Sequence, residues 1–570
     1  MNAIEFLNSF PFVVKAANGT ECLRQMIYNL GITGALSEQR KEDGDGQSLL
    51  GEIEALRDEM ITNKTFKRST KLEKVGEDFA INLPAIPANW VWTRLVDIGM
   101  IGPRNTAEDD VAASFAPMAT ISEYHRVAPQ PEIRPWGKIK KGYTHFADGD
   151  VAVAKITPCF ENGKAAVMAN LENGIGAGTT ELIVFRPIGG FVLPEFVYLF
   201  LRSPYFTQLG RERMTGTAGQ KRLPTEYVAA RPFPLPPLKE QRRIVRKVDE
   251  LMKLCDKLEQ QQQERSKLFP LLSHANHARL AAHPSPTHLS AIFTDPPSLS
   301  PEDMRKTIRE LAVRGNLVPQ LIAEGNSEDM LAEASKCRTK LVDLKLASKP
   351  KKLQPIDATP FPIPSSWSWI RLGALTLTID YGTSKRADLN SANVPVFRMG
   401  NISNGQLETS SLKYVPPEID DLPRLYLRKN DILFNRTNSA ELVGKAAIYK
   451  GTENTHTFAS YLIRLRLPDL VEADYFNLCF QTRYFRSTQI EPELTQQCGQ
   501  ANFNGTKLAN TLFPVPPRSE QRRIMKSVDH LIQLVNELDS KTTEVHSVSQ
   551  LFAISTVDRI TQLSSEVLGK

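Results

Sequence analysis

Long apolar runs are missing from this 570-residue sequence. No stretch approaches the roughly 20 residues a membrane-spanning helix needs, and the N-terminus MNAIEFLNSFPF lacks a basic region followed by a sustained apolar one. Cysteine is scarce, with six residues at positions 22, 159, 255, 337, 479 and 498. They are too scattered for a disulfide framework, and the absence of any CxxC pair argues against a structural zinc cluster. The nine histidines show no metal-ligand spacing; His274, His277 and His283 fall in or just beyond a helix and are expected to face solvent. Signatures of phosphate loops (GxxxxGK[ST]) and zinc proteases (HExxH) are absent as well. The nearest approach to an adenine-methylation motif is Asp295-Pro296-Pro297-Ser298. It has serine where an aromatic ring would have to stack on a flipped base, and it lies in a proline-serine linker with no glycine-rich loop nearby. The expectation is a cytoplasmic chain that binds rather than catalyses, with no membrane segment, no metal and no cofactor of its own.

What the sequence does contain, it contains twice. PLPPLKEQRRIVRKVDELMKLCDKLE, from Pro234 to Glu259, returns as PVPPRSEQRRIMKSVDHLIQLVNELD, from Pro514 to Asp539. Each copy leaves a proline pair, which cannot lie inside a helix, and runs into a long charged helix. Apolar residues recur at four-three spacing: Ile244, Val248, Leu251, Cys255 and Leu258 in the first, Ile524, Val528, Leu531, Val535 and Leu538 in the second. That is the pattern of a coiled-coil seam, and each helix is the natural partner of the other. The repeat extends upstream. IPANWVWTRL (Ile86 to Leu95) matches IPSSWSWIRL (Ile363 to Leu372), and the helical segment Leu23 to Gln39 matches Met304 to Gln320. Trp90, Trp92, Trp367 and Trp369 follow a proline turn in each copy and are expected in the core rather than on a nucleic-acid surface.

Composition is ordinary for a soluble protein, at 41% hydrophobic and 24% charged, with a net charge of +6. The excess of positive charge is compatible with nucleic acid only if it gathers on particular faces. The duplication divides the chain into a helical N-terminal extension and linker (1–83), a mixed domain (84–237), a central helical region (238–282), a linker with the repeated helical segment (283–360), a second mixed domain (361–517) and a C-terminal helical region (518–570). The class is α+β, with strand-like runs such as Val151 to Ile156 and Glu181 to Phe185 inside the mixed domains. The last helix is expected to run from Ser519 towards Ser547, with a separate short one after it.

The two mixed domains stay in register while their polar residues diverge. Asp150 to Thr157 aligns with Asp431 to Asn438, and Gly163-Lys164 with Gly444-Lys445. Lys155, Lys164, Lys221 and Arg222 in the first domain, and Arg398, Arg436, Lys445 and Lys507 in the second, offer donors for phosphates or for guanine O6 and N7. Gln220, Asn435, Asn438, Asn502 and Asn504 have the amides that pair with adenine N6 and N7. For each of these residues a turn cap or a plain surface charge is the competing role, and the glycine-lysine step could equally close a turn.

The pattern resembles the specificity subunit of type I restriction–modification systems over nearly the whole chain. The resemblance rests on IPxxWxWxRL, the Pro-Pro-x-x-Glu-Gln-Arg-Arg-Ile run, and ELAVRGNLVPQ from Glu310 to Gln320. It also rests on Phe160 to Lys164 with Gly176 to Leu182, and on Phe434 to Lys445. It implies two target-recognition domains separated by long helices that form an intramolecular antiparallel coiled coil, with pseudo-two-fold internal repetition. It further implies double-stranded DNA as ligand, two modification subunits and further restriction motor-nuclease subunits as partners. S-adenosylmethionine, ATP and Mg2+ would then be used by those partners for adenine methylation and restriction. The extended N-terminal helical portion resembles the longer members of the family. Two other roles, a stand-alone DNA methyltransferase and a scaffold that binds only protein, would show themselves by methyl transfer from the isolated chain or by the absence of salt-dependent DNA binding.

Overall fold

The computed structural model describes residues 10–16, 18–66, 83–217, 219–283, 299–344, 352–497 and 500–563, and the side chains of 496–497 and 556–563 lie outside this description. The linker motif Asp295 to Ser298 and Gly499 also fall outside it. None of the described helices is long and apolar enough to cross a membrane. Two compact units emerge, one of residues 1–264 with 543–570, the other of residues 265–542.

In the first unit, helix α1 (Gly19–Ile32) precedes a helix over Gly46–Thr62, which Asp45 caps by accepting the Ser48 amide at 2.8 Å. The mixed domain opens with Val91–Arg94, which pairs antiparallel with Pro232–Leu235 at the domain's other end. Between them stand two four-stranded sheets. One runs Gly99–Ile101, Leu182–Pro187, Val151–Ala154, Ala165–Val167; the other Glu132–Pro135, Ala112–Ala116, Ile175–Gly178, Thr144–Ala147. Helix α2 (Pro194–Arg202) covers the first, and helix α3 (Leu238–Ala282) leaves the domain.

The second unit repeats the plan. Helix α4 (Pro301–Val313) leads to Ser368–Arg371, which pairs with Leu512–Val515. A four-stranded sheet runs Thr378–Tyr381, Leu462–Arg466, Ile432–Asn435, Ala446–Ile448, beside a three-stranded one of Lys413–Val415, Val394–Phe397 and Thr457–Phe458. Helix α5 (Ala473–Phe480) packs on the first sheet, and helix α6 (Arg518–Leu563) closes the chain.

The repeated Glu-Gln-Arg-Arg run is a fastening. Glu240 is wholly buried and accepts hydrogen bonds from Ser37 (2.7 Å) and Gln39 (2.8 Å); Glu520 accepts from Gln320 (2.7 Å) and the Trp367 indole (3.0 Å). Gln241 and Gln521 each accept a loop amide of their own domain, from Leu193 and Glu472, at 2.8 Å. Arg243 pairs with Asp43, and Arg523 forks onto Glu324 at 2.8 and 2.6 Å. Each long helix is thereby tied to the segment that follows the upstream helix and to the domain itself, with every buried polar atom of these glutamates and glutamines given work.

Several expectations need correcting. The first upstream helix stops at Ile32 rather than continuing to Gln39, and its repeat ends at Val313, close to the end expected near 314. Gly34 (φ 78°) and Gly315 (φ 74°) follow them, each so close to a proline (Pro87, Pro364) that a Cβ would lie 2.5 or 2.4 Å from its ring. The chain turns there because only glycine fits both the dihedral and the space. Helix α6 is continuous where two helices were expected. His277 is buried, not solvated, and its ring meets the Thr307 hydroxyl at 2.8 Å.

The seams divide their work. Ile244, Val248 and Cys255 are buried, and Leu251 and Leu258 pack on the same core, which α1 shares. A Cβ on Gly31 of α1 would come within 3.2 Å of Val248, so the two helices approach closely. Ile524 and Val528 likewise enter the core that contains Ala312 and Val313 of α4. Leu531 is half-buried and Leu538 is exposed, which removes it from the expected seam. Further along, Val535 shares a small core with Leu280 of α3, Leu299 and Met304, while Ala553 of α6 joins the core that holds Cys255. Each unit holds the start of one long helix and the end of the other, as an antiparallel pair requires.

One repeated carboxylate anchors both main sheets. Asp150 accepts Arg186 through both oxygens at 2.7 Å, and Asp431 accepts Arg466 at 2.8 and 2.6 Å. Both aspartates are about 1% exposed. Burial pushes the Asp150 carboxyl up, while the arginine and the Ala147 amide pull it down. Removing one partner of such a pair strands the other. Asp431→Asn is therefore expected to destabilise the second domain by about 3–5 kcal/mol. Hydrogen exchange should show it as faster exchange across Ile432–Asn435, with Val151–Ala154 of the first domain as the unchanged control.

Candidate nucleic-acid interface

In each domain the central strand of the main sheet runs directly into a polar finger. Ile432–Asn435 is fully buried, because a strand covered on both sides of its sheet needs apolar residues at every position. The chain then emerges at Arg436, and Thr437–Asn438 pairs with Gln500–Asn502, which pairs in turn with Thr495–Gln497. In the first domain Val151–Ala154 is buried throughout, and beyond it Ile156 and Thr215 both bridge to Arg222. The backbone there closes the same kind of hairpin, with Gln220 and Lys221 exposed on it.

Arg436 is the centre of the second finger. Its guanidinium lies 4.8 Å from the Tyr381 ring centroid, in cation–π contact. It donates to the Ser460 carbonyl and to Asn502 Oδ1, both at 3.3 Å, and forms no ion pair among the described residues. Its Nε is buried without a partner. Asn502 is exposed and also accepts from Thr437 Oγ1 at 3.3 Å. Tyr381 and Tyr461 stand 42% and 47% exposed beside it, and the Tyr381 hydroxyl accepts the Gly505 amide at 2.8 Å. A half-buried arginine with free donors over an exposed aromatic ring can hydrogen-bond a base edge and stack at once. Neither tyrosine carried a signal in the sequence; pairing Thr378–Tyr381 with Ile463–Arg466 is what places Tyr381 under Arg436.

The other sequence candidates divide sharply. Lys445 is exposed, and its ammonium has no partner among the described residues. The preceding Gly444 has φ 96° and its counterpart Gly163 has φ 70°, so the glycine closes the turn and leaves the lysine outside it. Lys155 and Lys164 are half-buried at the corresponding positions of the first domain. Arg222 is 46% exposed and grips Glu181 through Nε and Nη2, at 2.9 to 3.2 Å, holding that carboxyl below its usual range. It braces the finger, and its guanidinium is already occupied.

Burial takes Asn435 out of the candidate set, while Asn504, Lys507, Arg398 and Asn438 each have a local partner. Asn435 is 1% exposed and donates to the Leu442 carbonyl at 3.2 Å, tying down the loop to Lys445. Asn504 caps the helix Gly505–Ala509 by accepting the Thr506 and Lys507 amides at 3.0 and 2.9 Å. Lys507 reaches the Thr495 hydroxyl at 2.8 Å and props the base of the finger. Arg398 donates to the Ser411 carbonyl at 3.1 Å, and Asn438 accepts the Ser439 amide at 2.8 Å within a turn. The tryptophans pack as expected, with Trp90 and Trp367 buried and Trp369 set between Phe361 and Tyr484.

Comparison with known proteins bears on this geometry. The type I restriction modification DNA specificity domain matches residues 87–266 and again 375–545. The EcoAI specificity subunit of a type I restriction enzyme of Escherichia coli is 33% identical over 94% of this chain and 93% of its own. The EcoEI specificity subunit, also from Escherichia coli, is 32% identical over 92% of this chain and 91% of its own. Among solved structures, the HsdS subunit from Thermoanaerobacter tengcongensis is 19% identical with a TM-score of 0.44, covering 85% of this chain and 98% of that one. The duplicated domain and the relatives that match more than nine-tenths of its length place this chain in the family of type I restriction–modification specificity subunits.

Proposed function

We propose that the chain reads a two-part double-stranded DNA target, one part through the finger and flanking loops of each recognition domain. It directs adenine methylation by two modification subunits, and ATP-dependent restriction by motor-nuclease subunits, to that target in the cytoplasm. The chain supplies recognition and assembly; S-adenosylmethionine, ATP and Mg2+ serve the partners. The observation that carries this reading is the twin geometry, a buried strand delivering basic and amide side chains into an exposed hairpin in both domains. Equal scaffolds with different finger residues suit two readers of different sequences.

The test is titration of the chain, assembled with its modification subunit, against target and scrambled duplexes over a range of salt. Steep salt dependence with a preference for one split sequence is the expected result. Equal weak binding to every duplex would defeat the proposal. Lys445 supplies a sharper measurement in the same experiment. Lys445→Ala is expected to weaken all duplexes alike and to lower the slope of log K against log salt by about 0.9, as the loss of one phosphate contact does. A loss confined to one sequence would make the lysine a base reader instead.

A further inference from the structure

The internal repeat allows one half of the molecule to be compared with the other. In the first unit, the segment 122–127 lies over the space between α1, α2 and α3 and puts His125 into it, while Glu123, Tyr124, Arg126 and Val127 stay exposed. His125 bonds the Tyr28 hydroxyl through Nδ1 at 3.0 Å and Asp249 through Nε2 at 2.8 Å. Arg126 pairs with Asp249 and, at 3.4 Å, with Glu195, while its amide donates to the Tyr198 hydroxyl at 2.9 Å. Burial pushes the Asp249 carboxyl up, but His125 and Arg126 outweigh it and hold the group below its ordinary range.

The corresponding stretch of the second unit, residues 403–408, does not reach in. Ile402–Ser403 folds back on Gln406–Leu407 in a tight hairpin whose turn residues Asn404 and Gly405 have φ 46° and 78°. Asn477 fastens the turn by donating to the Gly405 carbonyl at 2.9 Å, and a Cβ on Gly405 would lie 2.2 Å from Gln481. Where that segment would lie, a cleft of about 870 Å³ remains. Arg305 and Arg309 of α4 line it, with Asp474 of α5 and Asp529 of α6.

Two of the wall charges, exposed Asp529 and half-buried Arg309, have no partner among the described residues of the unit. Arg305 is used, donating to Asn536 and Asp539 at 2.9 Å, and Asp474 holds Lys450 at 2.7 Å. Asp529 aligns with Asp249, yet it has no hydrogen-bond or ion-pair partner among the described residues. Burial and the like charge of Asp474 raise its carboxyl. Arg309 stands where Tyr28 stands and also has no such partner; burial and the neighbouring Arg305 lower it. A phosphate or other simple anion would meet Asp474 and Asp529, and a simple cation would meet Arg305 and Arg309. The occupant has to carry both signs and the bulk of a short loop.

We propose that this cleft docks a polypeptide loop of the modification subunit, one that offers an arginine or lysine to Asp529 and a carboxylate to Arg309. The loop makes in trans the contacts that His125 and Arg126 make in cis in the first unit. This rests on the assembly described under Proposed function, and it adds an asymmetry: one bound modification subunit uses a contact that the other lacks, because its place in the first unit is taken.

The experiment uses the full chain with its modification subunit. Gln406, exposed at the cleft, is replaced by the photo-cross-linker p-benzoylphenylalanine, and affinity is measured for Asp529→Lys, for Arg309→Glu, and for a chain whose residues 404–407 are exchanged for residues 123–126. Both charge positions lie at the cleft surface, so folding is retained and is checked by hydrogen exchange. The expected results are a cross-link to a single modification subunit per chain and a loss of about tenfold in affinity for each substitution and for the exchange. Wild-type affinity in all three variants, or cross-links only to DNA or to a second copy of this chain, would overturn the inference. Failure of the modification subunit to bind the unaltered chain would overturn the proposed function instead.

Discussion

Exchanging Val91–Leu235 for the matching segment of a relative is expected to rewrite one half of the DNA target and leave the other half unchanged. Exchanging Ser368–Val515 should do the converse. The reason lies in how each domain closes. Val91 faces Leu235 and Arg94 faces Pro232 across one antiparallel ribbon, and Ser368 to Arg371 faces Val515 to Leu512 in the same register. Each segment therefore leaves and rejoins the helical framework at a single place, and its finger lies wholly inside it. The fastenings around the ribbon come from outside the exchanged segment: Glu240 and Glu520 bind side chains that also lie outside it, and Gln241 and Gln521 take their loop partners through backbone amides. A relative with the same backbone can satisfy them. If each half-site holds roughly three to five base pairs, and each mismatch costs about 1–3 kcal/mol, the new half should be exclusive. Methylome sequencing of cells carrying the exchanged chain reads the result. A first-segment exchange that altered both halves would mean that the two domains read the target through one composite surface.

Much of the architecture was legible because it was written twice. A motif such as Glu-Gln-Arg-Arg after a proline pair says little in one copy. Its return at a constant offset, with the tryptophan segment and the upstream helix, marks a framework around two mixed domains. What the pattern hid was the third helix. The four-three spacing of Ile244 and Val248 describes a face, not the neighbour that covers it, and the neighbour turned out to include α1 with its bare Gly31. Leu538 fits the spacing yet stays exposed, since periodicity records which side a residue faces and not where the covering helix ends. The glycines that end α1 and α4 were visible as letters, but the prolines that crowd them come from the far side of a linker.

The site was less legible, and the failures share a cause. Residue type gives the donors and acceptors of a side chain but not the backbone groups that claim them first. Asn435 ends a strand buried at every position, so no alternation of polar and apolar residues distinguished it as inward-facing. Asn504 starts a helix of five residues, too short to leave a periodic trace, and its amide oxygen is consumed there. Arg222 and Arg436 looked alike in sequence. Glu181 sits opposite one, and Tyr381 under the other, because of which strands pair.

That difference sets the second large effect. Arg436→Ala is expected to weaken binding and modification through the second half-site by about 1–3 kcal/mol, the worth of a bidentate arginine–guanine contact. Arg436 has donors to spare: of the five N–H groups of a guanidinium, one goes to Ser460 and one to Asn502, Nε is buried, and the remaining two have no partner among the described residues. The deficit should not arise from unfolding, because the finger keeps its backbone pairing of Thr437 with Asn502 and Asn438 with Ala501, and Lys507 still props its base. Arg436→Lys should recover little, since an ammonium can neither fork onto O6 and N7 nor lie flat on Tyr381. Titration against single-base-pair variants of the target separates the terms. Arg436→Ala should flatten discrimination at one position of one half-site while leaving the salt slope nearly intact, the opposite of Lys445→Ala. An assembled Arg436→Ala complex with unchanged affinity and unchanged discrimination would take the arginine out of the recognition surface.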